Sequence, residues 1–410
     1  MPRTLIRNIG EFFTGDIGRP VAEARSVLVE EGLIAALDPP DLDALASKCD
    51  VVIDARGAAV LPGLVDGHVH PVLGEWTPTQ NALGWIANYV HGGTTTFISA
   101  GEVHVPGLDY ANLSAELATC LAIVVAASTG RVRWSGAKVH AGTVLLVPGM
   151  REEHFDRLSA AGVKFAKFLF YPLDQDPDEA KRYVRWCRAR GIRVKVHTGG
   201  VSRSARNLMC GYEVLSWLQP DIAAHVSGGP VPMPDADLDN VIDRTEFALE
   251  ICVSGSYGST RRAVRRLAER GRLDRLTLGT DTPAGTGIVP RGMLRKIMFL
   301  TSICDVAPGT AVAIATGNTA RAHGLDVGQL AVGRPADIVI CAPVGGATGR
   351  TVAEAIAHGD LPGISHVLID GHIVVAGRSR QTPPAANPAQ FVCCNVGWMT
   401  RPNGFPTAEA

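Results

Sequence analysis

The order of apolar and polar positions divides the chain into a β-rich beginning, an alternating centre and a β-rich end. Short runs in which apolar and polar residues alternate, such as RSVLVEEGLIAAL and VVIDARGAAVLPG, fill residues 1–62. Similar runs, GQLAVGRPADIVICAP and ISHVLIDGHIVVAGR, fill residues 326–382. This alternation with glycine between the runs predicts hairpins. We therefore expect both ends of the chain to form one small β-sandwich domain, followed by an irregular proline-rich tail over residues 383–410.

The central segment, residues 63–325, has a different pattern. Short apolar runs, among them TTTFISA, VKFAKFLFY, IRVKVHTGG and LTLGTD, alternate with amphipathic stretches such as DPDEAKRYVRWCRARG and STRRAVRRLAERG. The amphipathic stretches end in glycine, which is typical of helix C-termini. A strand and helix rhythm of this length predicts an α/β fold of the TIM-like (β/α)8 barrel class.

Polar residues stand where the apolar strands of this barrel are predicted to end. In such barrels the functional side chains lie at the C-terminal ends of the strands. Burying several imidazoles, an amine and a carboxylate at one barrel mouth is costly unless a ligand compensates them, and divalent metal ions do so. The candidate metal ligands are His68, His70, Lys167, His197, His225 and Asp281.

The individual positions leave alternatives open. His68 and His70 share one face of a strand, but a solvated strand edge has the same pattern. Lys164 and Lys167 point to opposite faces of their strand, and we choose Lys167 for the barrel interior because it lies further along the strand. Asp66 either orients a histidine ring or is structural. The repetition of polar residues at later strand ends favours a metal site over these simpler explanations.

Composition and charge exclude several functions. The chain has 410 residues, 46% of them hydrophobic, and a formal net charge of −1. This balance argues against a nucleic-acid role, and the basic stretch STRRAVRRLAERGR is typical of the solvated face of a barrel helix. No apolar run is long enough to span a membrane. Nine scattered cysteines without a CxxC motif indicate reduced thiols and a cytoplasmic location.

The motifs PGLVDGHVH, KVHTGG, AAHVSGGP and LGTDTPAG, in this order, resemble the amidohydrolase superfamily. The resemblance implies a metal-dependent hydrolase with two divalent metal ions, zinc as first choice and iron or manganese as alternatives. His68 and His70 with Asp281 would hold one ion. His197 and His225 would hold the second, and Lys167, carbamylated by carbon dioxide, would bridge the two.

Segments such as ISAGEVHVPG and KVHAGTVLLV resemble the branch of the superfamily that opens cyclic amides. The resemblance implies that a hydroxide held between the metals attacks a lactam or enamide, one that we expect to carry a carboxylate. Asp281 would take the proton and return it to the leaving nitrogen. The alternatives are another amidohydrolase activity (a deaminase, a hydantoinase-like enzyme or a cyclic imide hydrolase) and a scaffold without catalysis.

Further residues are candidates for handling the substrate, a small molecule. His104 and His140 end strands and are candidate catalytic and substrate-binding residues, although histidines bonded to loop backbone would look the same. Arg203 and Arg206 are candidate carboxylate anchors because a guanidinium binds a carboxylate in a bidentate way; as an alternative they are solvated surface residues. Tyr257 is a further candidate. The resemblance also implies a homo-oligomer, a tetramer.

Overall fold

The computed structural model of the protein describes residues 1–71, 82–101, 108–109, 112–131, 136–200, 209–229, 231–283 and 286–395. Its first part is made of short strands with one short helix, as the alternation of the sequence predicts. These elements are β1 (Thr4–Arg7), β2 (Glu11–Phe13), β3 (Val21–Ala22), β4 (Val27–Glu30), β5 (Leu33–Leu37), α1 (Leu42–Ala46), β6 (Val51–Asp54) and β7 (Ala59–Pro62).

The centre alternates strands and helices. Its strands are β8 (Leu64–Val69), β9 (Thr94–Ser99), β10 (Lys138–His140), β11 (Val144–Leu145), β12 (Phe165–Phe168), β13 (Arg193–His197), β14 (Ile222–Ala224), β15 (Ala248–Cys252) and β16 (Leu276–Gly279). Its helices are α2 (Ala82–His91), α3 (Ala115–Arg131), α4 (Glu152–Ala160), α5 (Pro177–Ala189), α6 (Tyr212–Leu218), α7 (Asp235–Arg244), α8 (Tyr257–Glu269), α9 (Gly292–Ser302), α10 (Pro308–Ala313) and α11 (Thr319–Ala322). A short 3-10 helix at Leu273–Arg275 and a π-helical turn at Ile314–Asn318 complete this region.

The last part returns to strands. It contains β17 (Ile338–Ala342), α12 (Val352–His358), β18 (Gly363–Ile369), β19 (His372–Val375) and β20 (Gln390–Cys394). The segment 383–410 was expected to be irregular, but β20 pairs antiparallel with β6 inside it. β20 is a half-exposed edge strand with a register shift, so it lacks the clear apolar alternation that identifies a buried strand.

The strands of the two chain ends form two sheets that face each other. One has the order β20-β6-β1-β4-β5, and the other has the order β19-β18-β17-β7-β2-β3. A buried apolar layer between them includes Ile6 and Ile53 from the first sheet and Val60 and Ile340 from the second. The predicted β-sandwich made from both ends is confirmed. β7 belongs to the β-sandwich and β8 to the barrel, which supports the predicted domain boundary at residues 62–63. This boundary and the other domain boundaries stay predictions.

The central strands run parallel and occupy the eight positions of a barrel. β10 pairs only with β9 and β11 only with β12 among the described strands, so these two short strands together take the third position. The last position returns to the first, because the amide of Asp281 donates to the carbonyl of His68 (2.8 Å) and the amide of His70 donates to the carbonyl of Thr282 (2.7 Å). The strands are almost fully buried on both faces, as in a barrel wrapped by helices.

Two helices of the barrel begin at a residue whose side chain caps the helix. The Asp176 side chain accepts a hydrogen bond from the amide of Glu179 at the start of α5, and the Ser256 side chain accepts one from the amide of Ser259 at the start of α8.

Over the part of the chain that the structure describes, no helix combines the length and the apolar character needed to cross a membrane.

Candidate metal centre

The structure brings the six predicted metal ligands together at one end of the barrel. Each lies at or directly after the C-terminal end of a strand, and each is buried. His68 lies in β8 and His70 follows it, Lys167 lies in β12, His197 ends β13, His225 follows β14, and Asp281 follows β16. Because parallel strands end at the same rim of a barrel, residues far apart in the sequence meet at one point.

The first group of side chains surrounds the Asp281 carboxylate. Asp281 Oδ1 lies 3.2 Å from Nε2 of His70 and 3.5 Å from Nε2 of His68. One potential ligand atom from each of these three residues lies within 4.8 Å of the others. His70 Nδ1 lies 2.8 Å from the carbonyl oxygen of Gly101 and donates to it, so its Nε2 lone pair is available for a metal ion. Asp281 Oδ2 in turn accepts a hydrogen bond from Ser254 Oγ (3.0 Å).

The second group lies against the first. The ring centroids of His197 and His225 are 4.3 Å apart, and those of His68 and His225 are 5.2 Å apart. Lys167 is 1% exposed, and its Nζ has no hydrogen-bond partner among the described residues; Nδ1 of His225, 2% exposed, has none there either. Buried polar atoms are nearly always paired in folded proteins, so these two nitrogen atoms are suited to binding a metal ion or another ligand.

The electrostatics of the cluster keep the imidazoles of His68, His197 and His225 neutral. Burial, followed by the positive charge of Lys167, lowers the pKa of His197 to about 4 and places the pKa of His68 well below its usual range. Burial, followed by His197, has the same effect on the pKa of His225. Burial, followed by Lys195, lowers the pKa of Lys167 to about 7. The histidines and a large share of the amine therefore have free lone pairs at neutral pH.

Asp281 behaves in the opposite way and stays charged. Burial alone would raise the pKa of its carboxyl group, but His68, His70 and His225 outweigh burial and hold this pKa below its ordinary value. Four imidazoles, an amine that loses its proton readily and one carboxylate form a mixed nitrogen and oxygen donor set. This set, together with the two unpaired buried nitrogen atoms, fits divalent transition metal ions.

A buried Glu250–Lys195 pair lies directly beneath the predicted ligands and was not anticipated from the sequence. Glu250 Oε1 lies 2.5 Å from Nδ1 of His68, and Glu250 Oε2 accepts a hydrogen bond from Lys195 Nζ (2.8 Å). Lys195 also donates to the carbonyl of Gly67 (2.5 Å). The carboxylate holds Nδ1 of His68 and turns its Nε2 towards Asp281. Two features of the sequence could have predicted this pair. They are the charged Glu250 inside the apolar run FALEICVSG and the lysine two positions before His197.

Asp66, for which two roles were open, joins the first barrel strand to the last. Its carboxylate accepts from the amide of Thr280 (2.9 Å), from Thr280 Oγ1 (2.6 Å) and from the amide of His68 (3.2 Å). Its contacts are therefore structural, and Glu250 orients the His68 ring. Gly279 lets the strands approach this closely, because a Cβ there would lie 2.4 Å from the Cβ of His68.

Of the other predicted site residues, the structure describes His140 and Tyr257, and the ring contacts it shows for them lie outside the cluster. His140 lies beside Phe165, with ring centroids 6.5 Å apart, and His323 packs on the same Phe165 ring. Phe165 precedes Lys167 by two residues on the same strand face, so His140 lies one layer deeper in the barrel than the cluster. Its catalytic role stays a prediction. Burial, followed by Lys164 and Lys138, lowers the pKa of His140 to about 4.

Tyr257 begins α8, is 69% exposed and stacks on Phe299, so the structure places it in another cleft. His104, Arg203 and Arg206 lie outside the described residues. Their predicted roles in catalysis and carboxylate binding stay predictions.

The chain is similar to known proteins over nearly its whole length. The sequence profile of the amidohydrolase family matches residues 59–374. Enamidase from Eubacterium barkeri is 39% identical over 394 residues, which cover 96% of this chain and 100% of enamidase. The crystal structure of enamidase matches with a TM-score of 0.89 at 38% identity, covering 95% of this chain and 100% of that chain. Imidazolonepropionase from Salinispora arenicola is 26% identical over 376 residues, covering 83% of this chain and 92% of its own.

Proposed function

The chain belongs to the amidohydrolase family and is a hydrolytic enzyme for C–N bonds, and we propose that it opens the ring of a carboxylated enamide or lactam. The cluster of four imidazoles, Lys167 and Asp281 at the barrel mouth is the observation that supports hydrolysis. The similarity to enamidase along 96% of the chain supports a cyclic amide as the substrate. The same cluster argues against a scaffold without catalysis, because so many buried polar groups destabilise a protein that does not use them.

The donor set suggests how the residues divide between two metal ions. His68, His70 and Asp281 would hold one ion, His197 and His225 would hold the other, and Lys167 would be a ligand of both. Lys167 reaches this role when its neutral amine adds to carbon dioxide, which gives a carbamate and releases one proton. Zinc is our first choice, with iron or manganese as alternatives. When bound, such ions polarise a carbonyl oxygen and make water acidic enough to act near neutral pH.

The chain's own residues handle the proton and the orientation of the site. The Asp281 carboxylate accepts the proton of the attacking water and returns it to the ring nitrogen as the C–N bond breaks. Ser254 holds Oδ2 of Asp281 during this exchange. Glu250 holds the His68 ring through Nδ1, and Lys195 balances the charge of Glu250. If the ring is an enamide, the released enamine tautomerises to an imine, which water converts to an aldehyde and ammonia.

The proposal is tested by a substrate panel on the metal-loaded enzyme. Lactams, enamides, cyclic imides, hydantoins and amino-purines are compared, with and without a carboxylate, and ring opening and ammonia release are measured separately. We expect ring opening to be fastest with a carboxylated enamide or lactam. Ammonia release without ring opening would identify a deaminase, and a preference for imides or hydantoins would contradict the proposed substrate class.

The assembly and the location are also proposals. We propose a homo-oligomer, with a tetramer as the form that the family resemblance implies, and light scattering of the purified protein measures its mass directly. We also propose a cytoplasmic location. The nine cysteines, all within the described residues and all unpaired, support it.

A further inference from the structure

A cleft lies next to the end of β15, where Val253 is one of its lining residues. It has a volume of about 320 Å³ and is bounded by the start of α8, the start of α9 and the chain segment just before α9. None of the six predicted metal ligands lines it. Its volume is at the lower end of the range of small-molecule sites, which suits a compact ligand of one ring.

The charged residues of this cleft are all positive. Arg291, Arg295 and Lys296 line it, and none of the lining residues that the structure describes is acidic. Within the described part of the chain, these three side chains take part in no ion pair with a carboxylate. Two arginines of α8 behave differently: Arg262 is paired with Asp239 and Arg266 with Asp243.

Lys296 is the residue of the cleft that most clearly indicates an anionic ligand. Its side chain is 3% exposed, and in the described part of the chain its Nζ has no hydrogen-bond partner. The amine lies 5.3 Å from the ring centroid of Phe299. Burial lowers the pKa of Lys296 to about 8, so most of the amine is charged at neutral pH. A buried ammonium group without an acceptor is costly, and an anion in the cleft supplies the acceptor.

Two helix N-termini add to the positive potential. α8 begins at Tyr257 and α9 begins at Gly292, and both residues line the cleft. The N-terminal end of a helix carries a partial positive charge that favours anions. The helices have 13 and 11 residues, long enough for this effect.

The remaining walls are apolar and partly aromatic. The rings of Tyr257 and Phe299 stack with centroids 5.3 Å apart and an interplanar angle of 27°. Tyr257 is 69% exposed and Ile288 is 44% exposed, which is unusual for such large apolar side chains. Val253 and Val289 complete the apolar surface. An exposed apolar wall beside unpaired cations suits a ligand with a flat ring and one anionic group.

We propose that this cleft binds a small cyclic carboxylate, with its ring on Tyr257 and Phe299 and its carboxylate at Lys296 and the two arginines. None of the predicted metal ligands lines this cleft, and the proposal does not depend on the substrate proposed above. Inorganic anions satisfy only the charged half of the cleft, and neutral rings only the apolar half. Both are therefore expected to bind more weakly than a molecule that combines the two.

The test is calorimetric titration of the full-length, metal-loaded protein with benzoate, and with benzamide and acetate as matched probes. We expect benzoate to bind, and benzamide and acetate to bind at least tenfold more weakly. In Lys296→Met the dissociation constant for benzoate should rise at least tenfold, about 1.4 kcal/mol. Lys181→Met is the matched control, because Lys181 also lies over an aromatic ring, that of Trp217, but outside the cleft.

Substitutions at two exposed residues test the proposal even if Lys296→Met folds poorly. Arg295→Gln and Tyr257→Ser change side chains on the surface, and each should weaken benzoate binding while the melting temperature stays unchanged. His197→Ala separates the cleft from the metal centre: hydrolysis should be lost and benzoate binding retained. The proposal is overturned if the wild-type protein does not bind benzoate, if the cleft variants bind it normally, or if His197→Ala abolishes binding.

Discussion

Two lysines of the barrel strands, Lys138 and Lys167, are both largely removed from water but have opposite surroundings. Lys138 Nζ donates to Asp337 Oδ1 (2.9 Å) and Oδ2 (2.8 Å) and lies 2.6 Å from Asp370 Oδ1. Lys167 Nζ has no hydrogen-bond partner among the described residues, and burial with Lys195 lowers its pKa more than the carboxylates of Glu250 and Asp281 raise it. The first amine is fully compensated by the polypeptide and the second is not.

The difference indicates what each lysine does. Lys138 connects strand β10 of the barrel to Asp337, just before β17, and to Asp370, in the turn between β18 and β19, so it ties the barrel to the β-sandwich. Lys167 destabilises the metal-free fold, because a buried amine without a partner loses the hydrogen bonds it makes in water. A buried polar group without a partner in the fold is therefore a candidate for ligand binding. A buried polar group with a partner is a candidate for stabilising the fold.

The largest effect is expected for Lys167→Met, which removes the unpaired amine. We expect kcat/KM for the cyclic amide to fall about 1,000-fold, roughly 4 kcal/mol in the barrier, because the variant lacks the ligand that the proposal assigns to both metal ions. Steady-state kinetics and metal analysis of the purified variant measure this loss.

The stability of the same variant separates function from folding. Methionine fills a similar volume and needs no hydrogen bond, so the metal-free variant should unfold at the same denaturant concentration as the wild type or at a higher one. If Lys167→Met keeps full activity, or if it unfolds much more easily than the wild type, the contrast between the two lysines is wrong.

The next effect is expected for Lys138→Met, which leaves two carboxylates without their cation. Removing one partner of a buried ion pair costs about 3–5 kcal/mol, so the free energy of unfolding should fall by roughly this amount. Activity per folded molecule should stay near that of the wild type, because Lys138 does not contact the metal centre. If Lys138→Met has normal stability and reduced activity, Lys138 acts in function and not in stability, which contradicts the prediction.

Much of the fold could be predicted because it depends on local patterns. Alternation along β1 to β7 and β17 to β19, and amphipathic helices such as α5 and α8, were visible in the residue order alone. The strand β20 was missed because an edge strand is stabilised by its pairing with β6, which no local pattern records. The division of the third barrel position between β10 and β11 also follows from pairing with neighbours.

The site was predicted only in part, for a related reason. Residues at strand ends, such as His197 and Asp281, are visible because they interrupt apolar runs. Glu250 interrupts an apolar run as well, but its role depends on contacts with His68 and Lys195, which are distant in the sequence. The orientation of His140 towards Phe165 depends on the stagger of the strands around the barrel, which a strand's own sequence does not reveal.

A smaller effect is expected for Glu250→Gln, which tests whether the pair beneath the cluster orients His68. Partners of metal-binding histidines typically contribute 10- to 100-fold to metal affinity or activity, and we expect a loss in this range. Competition of the metal ion against a chelator measures the affinity. Glu246→Gln is the matched control, because Glu246 pairs with Arg272 on the protein surface and its loss should leave metal affinity unchanged.

The smallest effect is expected for Ser254→Ala, which removes the hydrogen bond to Oδ2 of Asp281. A single hydrogen bond to a charged group contributes about 1.5–3 kcal/mol, and a solvent molecule replaces part of it at this half-buried position. We therefore expect kcat to fall about tenfold while KM and the metal content stay unchanged, since Ser254 positions the proton acceptor and does not hold substrate or metal. Ser254→Thr keeps the hydroxyl group and should restore most of kcat. Equal losses in both variants, or a change in metal content, would mean that Ser254 acts through the fold of the strand end and that Asp281 does not need its hydrogen bond.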